Sequence, residues 1–263
     1  MKNENYEQMF QMALNQSGKI LKGYSNFHRY SLANQWLAFC QMIERGIEVS
    51  PIATYKKWSS LDRQVRKGSK AISLFMPVQV KDIDRKTGKE EKKTIFVMRN
   101  NWFAYSQTDG GTEVEFPTVD FDFDKALQNL EITKENFQLE DGNCQGYAKQ
   151  GNIIAINPLA ELPAKTFFHE CGHVLMHLDG DVEFIDDEKV TRNIKEVEAE
   201  GVALFCSIAL GLTENIEYCV GYIKSWLGDG NEIPVDSIKK IFKAANKILK
   251  AGQENDKATE AGD

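Results

Sequence analysis

The chain has no run of about 18 apolar residues, so nothing in it reads as a membrane span. Its start, "MKNENYEQMFQMALNQ", has no basic segment followed by an apolar core, so no export signal is read. The five cysteines, at 40, 144, 171, 206 and 219, are odd in number and form no C-x-x-C pair. That argues against a disulfide framework and a thiolate zinc site, and it points to a reducing cytoplasm. Histidine is scarcer still. Only four occur in 263 residues, and three of them fall between His169 and His177.

Acidic residues are few in the first part and crowd the rest. Residues 1–110 hold 18 Lys+Arg against 10 Asp+Glu, whereas residues 111–263 hold 14 against 29. The overall charge of −7 therefore joins a basic part to an acidic one. Such a shift implies two domains with different partners, the basic one suited to a polyanion.

Periodicity predicts a helix carrying Tyr6, Met9, Phe10, Ala13 and Leu14, and a second from Leu32 to Gly46 with Ser31 as N-cap. "IATYKKWSSL" reads as a short helical turn. "AISLFMPVQV" and "TIFVMRNNWFAYS" read as two strands of a hairpin turning near Thr87-Gly88. "DGGTEVEFPTVDFDFD" is rich in Gly and acid and serves as the linker. Beyond it come a short helix at "KALQNLEI", two strands in "GYAKQGNIIAIN", and helices through Leu175, over 189–210, 216–227 and 235–249. The fold class expected is α+β. A small mixed N-terminal domain over 1–110, the basic one, and a linker over 111–123 precede a mostly helical domain with a small antiparallel sheet over 124–252. The tail, 253–263, has no apolar anchors and is expected to be disordered.

The histidines answer as metal chemistry. In "HECGHVLMH", His169 and His173 lie four apart on one helical face and aim at a common point, as zinc requires. Glu170 sits one step round, placed to act on a zinc-activated water as general base; this is the H-E-x-x-H arrangement. The apolar neighbours Phe167, Phe168, Val174 and Leu175 make the site semi-buried. A third protein ligand is then sought downstream, where Glu196 and Glu200 are again four apart. Glu196 is taken as the ligand and Glu200 as the acceptor of a histidine ring N–H. The reverse assignment is open. Glu198 reads as a solvated charge off that face. His177 lies about 6 Å further along the helix than His173, which suits a helix-end cap or a side wall of the site. "GNIIAIN" is either a core strand or an exposed edge strand that pairs with a peptide. Tyr147 is a candidate for stabilising an oxyanion.

The basic part has its own logic. Non-specific binding of single strands needs cations for phosphates and rings for bases. "TYKKWSSLDRQVRKGSK" supplies Lys56, Lys57, Arg63, Arg66, Lys67 and Lys70, interleaved with Tyr55 and Trp58. Trp102, Phe103 and Tyr105 offer further rings. His28 reads as structural.

These segments converge on one family. "YSLANQWLAFCQ", "ATYKKWSSLDRQVRKGSKAISLFMPV" and "AYSQTDG" resemble the N-terminal domain of ArdC-type antirestriction proteins, which implies single-stranded DNA binding. "GYAKQGNIIAIN", "TFFHECGHVLMH" and "EVEAEGVALFCSIALGL" resemble that family's C-terminal zincin-type metallopeptidase domain, related to ImmA/IrrE-like peptidases. In the family's E-x-x-A-E pattern, Glu196, Ala199 and Glu200 match, which supports Glu196 as ligand. Asp62 departs from the glycine that usually precedes the Arg-Gln-Val element. The resemblance implies a cytoplasmic protein of mobile DNA that binds single strands and carries a zinc peptidase site for an unknown protein substrate. The alternative is a DNA-binding module whose zinc domain is structural or binds partners without hydrolysis. A third reading is a peptidase that cleaves a repressor, with DNA serving to localise it.

Overall fold

The computed structural model describes residues 3–20, 30–83, 90–111, 120–138, 144–178, 192–228 and 230–253. The expected hairpin tip, His28, most of the linker and the tail lie outside them. The chain divides into two compact units, one over Asn34–Phe116 and the other formed by Lys2–Ala33 with Pro117–Asp263.

The first unit carries helix α2 (Leu32–Glu44, of which Asn34 onward belongs here), strand β1 (Ile52–Thr54), helix α3 (Tyr55–Ser60), and strands β2 (Gln64–Val65), β3 (Ile72–Ile83), β4 (Glu90–Ala104) and β5 (Thr108–Asp109). β3 and β4 form a long antiparallel ribbon, Phe75 opposite Met98 and Pro77 opposite Phe96, and β1 pairs with the end of β4 in the order β1-β4-β3. A bulge lies between Ile72 and Ser73. The alternation of β-formers places Ile72, Leu74, Trp102 and Ala104 in the core. α2 seals the edge of β3 with side-chain amides. Asn34 exchanges two hydrogen bonds with the Phe75 backbone, at 2.8 and 2.9 Å, and Gln41 two with Ser73, at 2.8 and 3.0 Å. Thr54 caps α3 by accepting from the Lys57 N–H. After α3 the chain turns through Asp62, whose φ of 55° is left-handed. Glycine adopts that conformation without strain, and aspartate is among the few side chains that tolerate it.

The second unit contains α1 (Asn3–Ile20), α4 (Phe123–Leu130), β6 (Thr133–Lys134), β7 (Gly146–Lys149), β8 (Ile153–Ile156), α5 (Pro163–His177), α6 (Arg192–Leu210), α7 (Thr213–Gly228) and α8 (Val235–Gly252). α6 is its axis. From Val197 to Ile208 it is buried on every side, as its nearly unbroken apolar composition requires. α5, α7 and α8 surround it. The α1 residues expected to group with the N-terminal domain pack here instead. Tyr6 meets Phe242 edge-on at 5.6 Å, and Phe10 lies 5.9 Å from Phe205. The small sheet is mixed, not purely antiparallel: its order is β6-β8-β7, with β6 parallel and β7 antiparallel to β8. β8, which carries "IIAI", is therefore a central strand, and β7 is an edge. The two-residue β6 is too short to leave a periodic signal.

Two residues expected to touch DNA prove to be core. Trp58 is 1% exposed and donates its ring N–H to the Phe103 carbonyl at 2.8 Å. Arg63 is buried, bonds the Thr108 hydroxyl at 2.8 Å and lies over the Tyr105 ring at 4.1 Å. Trp58→Ala is expected to destabilise the first unit by about 3–5 kcal/mol, measured by urea denaturation. Any loss of DNA binding in that variant would then follow from unfolding.

Candidate metal centre and basic groove

Pro163 at the first position starts α5, which presents His169 and His173 one turn apart. α5 comes close to α6 because Gly172 has no side chain: a Cβ there would lie 3.3 Å from both Ala199 Cα and Val202 Cβ. The approach brings Glu196 to the two rings. Its Oε2 is 3.4 Å from His169 Nε2 and 3.5 Å from His173 Nε2, and the two Nε2 atoms are 3.1 Å apart. One ligand atom from each of His169, His173 and Glu196 lies within 4.8 Å of the others, the grouping a metal ion needs.

The far side of His169 meets a carboxylate of α6, and that of His173 is tied to another through His177. His169 Nδ1 lies 3.0 Å from Glu200 Oε2, which also takes an ion pair from Lys165 at 3.1 Å. His173 Nδ1 lies 2.9 Å from His177 Nδ1, and His177 Nε2 lies 2.7 Å from Glu198 Oε2. An ionised carboxylate only accepts, so His177 donates through Nε2 to Glu198. Neutral His177 then accepts at Nδ1 from the His173 N–H, which leaves His173 Nε2 to face Glu196. The same logic turns the His169 Nδ1–H towards Glu200. Both Nε2 atoms therefore face Glu196 across the space a cation would fill, and the residues fit the metal that the motif implies. Glu198 is fully buried rather than solvated, and His177 links it to His173. The missed signal was the apolar character of α6 all round its axis, which leaves no solvated face for Glu198.

Electrostatics agree. Burial disfavours charge on His169, but hydrogen bonds to Glu196 and Glu200 outweigh it and raise the pKa to about 9. Hydrogen bonds from His169 and His173 hold Glu196 far below the usual carboxylate range. Burial pushes Glu200 up, but His169 and Lys165 bring it below its ordinary value. Glu170 is buried, and that burial raises its pKa against the pull of His169 and His173. Its carboxylate lies beneath β7, where a Cβ on Gly146 would sit 3.2 Å from Oε1. Tyr147 has its hydroxyl committed to Glu135 at 2.7 Å. Tyr222, on α7, feels the negative field of Glus 196 and 200, which, after burial, raises its pKa.

In the first unit, Tyr55, Gln64, Val65, Arg66, Lys67, Ser69, Phe103 and Asp109 line an open hollow of about 700 Å³. Arg66 pairs with Asp109 at 2.9 Å and also donates to the Ser106 carbonyl. Lys56, Lys57, Lys67 and Lys70 are exposed or partly so, and Tyr55 is an exposed ring meeting Phe103 edge-on at 6.5 Å. The ring available to a ligand is thus Tyr55, three residues before the expected Trp58.

Comparisons with known proteins divide the chain by sequence and place residues 3–33 with the N-terminal match, although they belong to the second unit. Residues 3–104 match the N-terminal domain of anti-restriction factor ArdC, and residues 127–212 match the IrrE N-terminal-like domain of the M78 peptidases. The chain is similar to the crystal structure of the antirestriction ArdC protein of plasmid R388. The metal-free form has 21% identity and a TM-score of 0.58, and the Mn(II)-bound form 18% and 0.52, each with 94% of both chains covered. No curated protein matches. An ArdC-type N-terminal domain joined to a zincin-like M78 domain defines the class of this protein. The two matched domains, in this order and with this fold, are those of an ArdC-type antirestriction protein.

Because His169 holds a proton at neutral pH, binding of a divalent metal at pH 7 is expected to release about one proton, measured by calorimetry in buffers of differing ionisation enthalpy. Without metal, the stabilisation from protonated His169 is full below about pH 6.5 and is lost as pH rises through about 9. Replacing His177 by Phe is expected to weaken metal affinity roughly 10- to 100-fold, read by chelator competition, because nothing then fixes the His173 tautomer.

Proposed function

We propose that this chain binds single-stranded DNA through its first unit and hydrolyses peptide bonds at a zinc centre in its second. One observation carries the hydrolytic half: two histidines and Glu196 converge from two helices while Glu170 stands buried beside them, not ligating. Three protein ligands leave a fourth position open, which is the pattern of a catalytic rather than a structural zinc site. This favours hydrolysis over a purely structural or partner-binding metal. The Mn(II) seen in the R388 protein supports a divalent ion here.

His169, His173 and Glu196 would hold the ion, and Glu200 would fix the His169 ring. Bound zinc would supply Lewis acidity towards a water and a carbonyl oxygen. Glu170 takes a proton from the attacking water and returns it to the leaving amine; its raised pKa suits both transfers near neutral pH. β7, the edge strand above Glu170, offers its free backbone to an extended peptide. Tyr222 is the hydroxyl nearest in role to an oxyanion donor, since Tyr147 is engaged elsewhere. A protein substrate fits this rail.

For DNA, the hollow at Tyr55 and Phe103 supplies rings, and Arg66, Lys67, Lys56, Lys57 and Lys70 supply cations. Among the described residues no helix is long and apolar enough to cross a membrane. The likeness to ArdC-type proteins supports a cytoplasmic setting, where the protein meets incoming single strands.

Glu170→Gln is expected to keep metal and DNA binding while lowering peptide hydrolysis by about 10²- to 10⁴-fold, measured on unfolded protein substrates with zinc content checked. Unchanged hydrolysis would remove Glu170 from the mechanism. Lys67→Glu is expected to weaken oligonucleotide binding and to reduce the slope of log affinity against log salt by about one, whereas Trp58 variants report stability.

A further inference from the structure

The β3–β4 ribbon has two unlike faces. Ile72 and Leu74 are buried and set the core side of β3, and their partners Trp102 and Arg99 share it. Phe103 and Met98 therefore fall on the opposite face, the bulge having restored the register between them. Phe75, opposite Met98, and Phe96, opposite Pro77, lie on that face too. It thus runs outward from the hollow at Phe103 and carries three phenyl rings. Phe96 is 67% exposed and Met98 48%. The other face has no ring beyond Trp102 and carries Met76, Val78 and Ile95 with the exposed cations Lys93 and Arg99.

Charge selects the occupant. Lys81 and Lys92 are direct cross-strand partners on the ring-bearing face, and both are exposed. Arg66 and Lys67 stand at the inner end, beside Phe103. Between 73 and 81, and between 92 and 100, the described residues of this face include no carboxylate. A strip about 27 Å long thus offers flat apolar groups between two cationic ends. Base rings stack on such groups whatever their sequence, while phosphates reach the cations. A peptide partner would want hydrogen-bonding edges more than unbranched rings flanked by lysine.

We propose that this face of the ribbon is a stacking track for single-stranded DNA, continuous with the Tyr55–Phe103 hollow and centred on Phe96. The proposal rests on the single-strand reading above and adds the site, the direction of the strand path and the residues that touch bases.

The test uses the full-length chain and fluorescein-labelled dT20 followed by anisotropy. Phe96→Ala, a change at an exposed position, is expected to weaken binding roughly 5- to 100-fold, while Phe96→Trp retains it. The salt slope should be unchanged in Phe96→Ala, because no phosphate contact is lost, and should fall in a Lys81→Glu, Lys92→Glu double variant. An oligonucleotide bearing 5-iodo-deoxyuridine should photocrosslink to Phe96. If the wild type binds dT20 but Phe96→Ala binds equally well and crosslinks map only to Tyr55 and Phe103, the track is refuted while DNA binding stands. If the wild type binds no dT20, the underlying reading falls and the track with it.

Discussion

Everything in the second unit depends on two helices approaching at a residue without a side chain. Gly172 lets α5 settle against Ala199 and Val202 of α6, and only at that separation can Glu196 reach both imidazoles. The spacing of the ligand atoms follows from this approach, since His169 and His173 are fixed on one helix and Glu196 on the other. A methyl group at 172 would have to displace backbone, because one of the two contacts is an α-carbon.

The buried carboxylates turn the same approach into chemistry. Glu198 and Glu200 cannot sit in a dry helix bundle without donors, and ring N–H groups from α5 provide them. Once those donors are committed, the remaining nitrogen of each ligand ring is the one that must give up any proton to bind a metal. The polarity of the whole histidine row is thus set from the protein interior, not by the ion. Glu170 draws on the same dryness in another way, because burial makes its carboxylate a better proton acceptor.

Much of this was legible in the residues themselves. The four-residue spacing of His169 and His173 and the Glu196–Glu200 pair led to the observed grouping, because helical periodicity is local and survives tertiary context. The strands and most helices were legible for the same reason. What was not legible depended on distant packing. Trp58 and Arg63 have the composition of a binding surface but serve the core, and Tyr55 is the ring left outside. α1 has an amphipathic pattern that does not name its partner, and it joined the second unit. The edge position of β7 required knowledge of β6, two residues with no pattern. Asp62 was a visible departure whose meaning waited for its φ of 55°.

The amide clasp along β3 has a consequence for solubility. A ribbon with bare phenylalanines would ordinarily invite another chain to dock alongside it and start a fibril. Near its root, Asn34 and Gln41 already occupy the Phe75 and Ser73 backbone groups that such a neighbour would seek, and Pro77 offers no N–H beyond them. Along that margin the chain can afford sticky rings without seeding self-assembly.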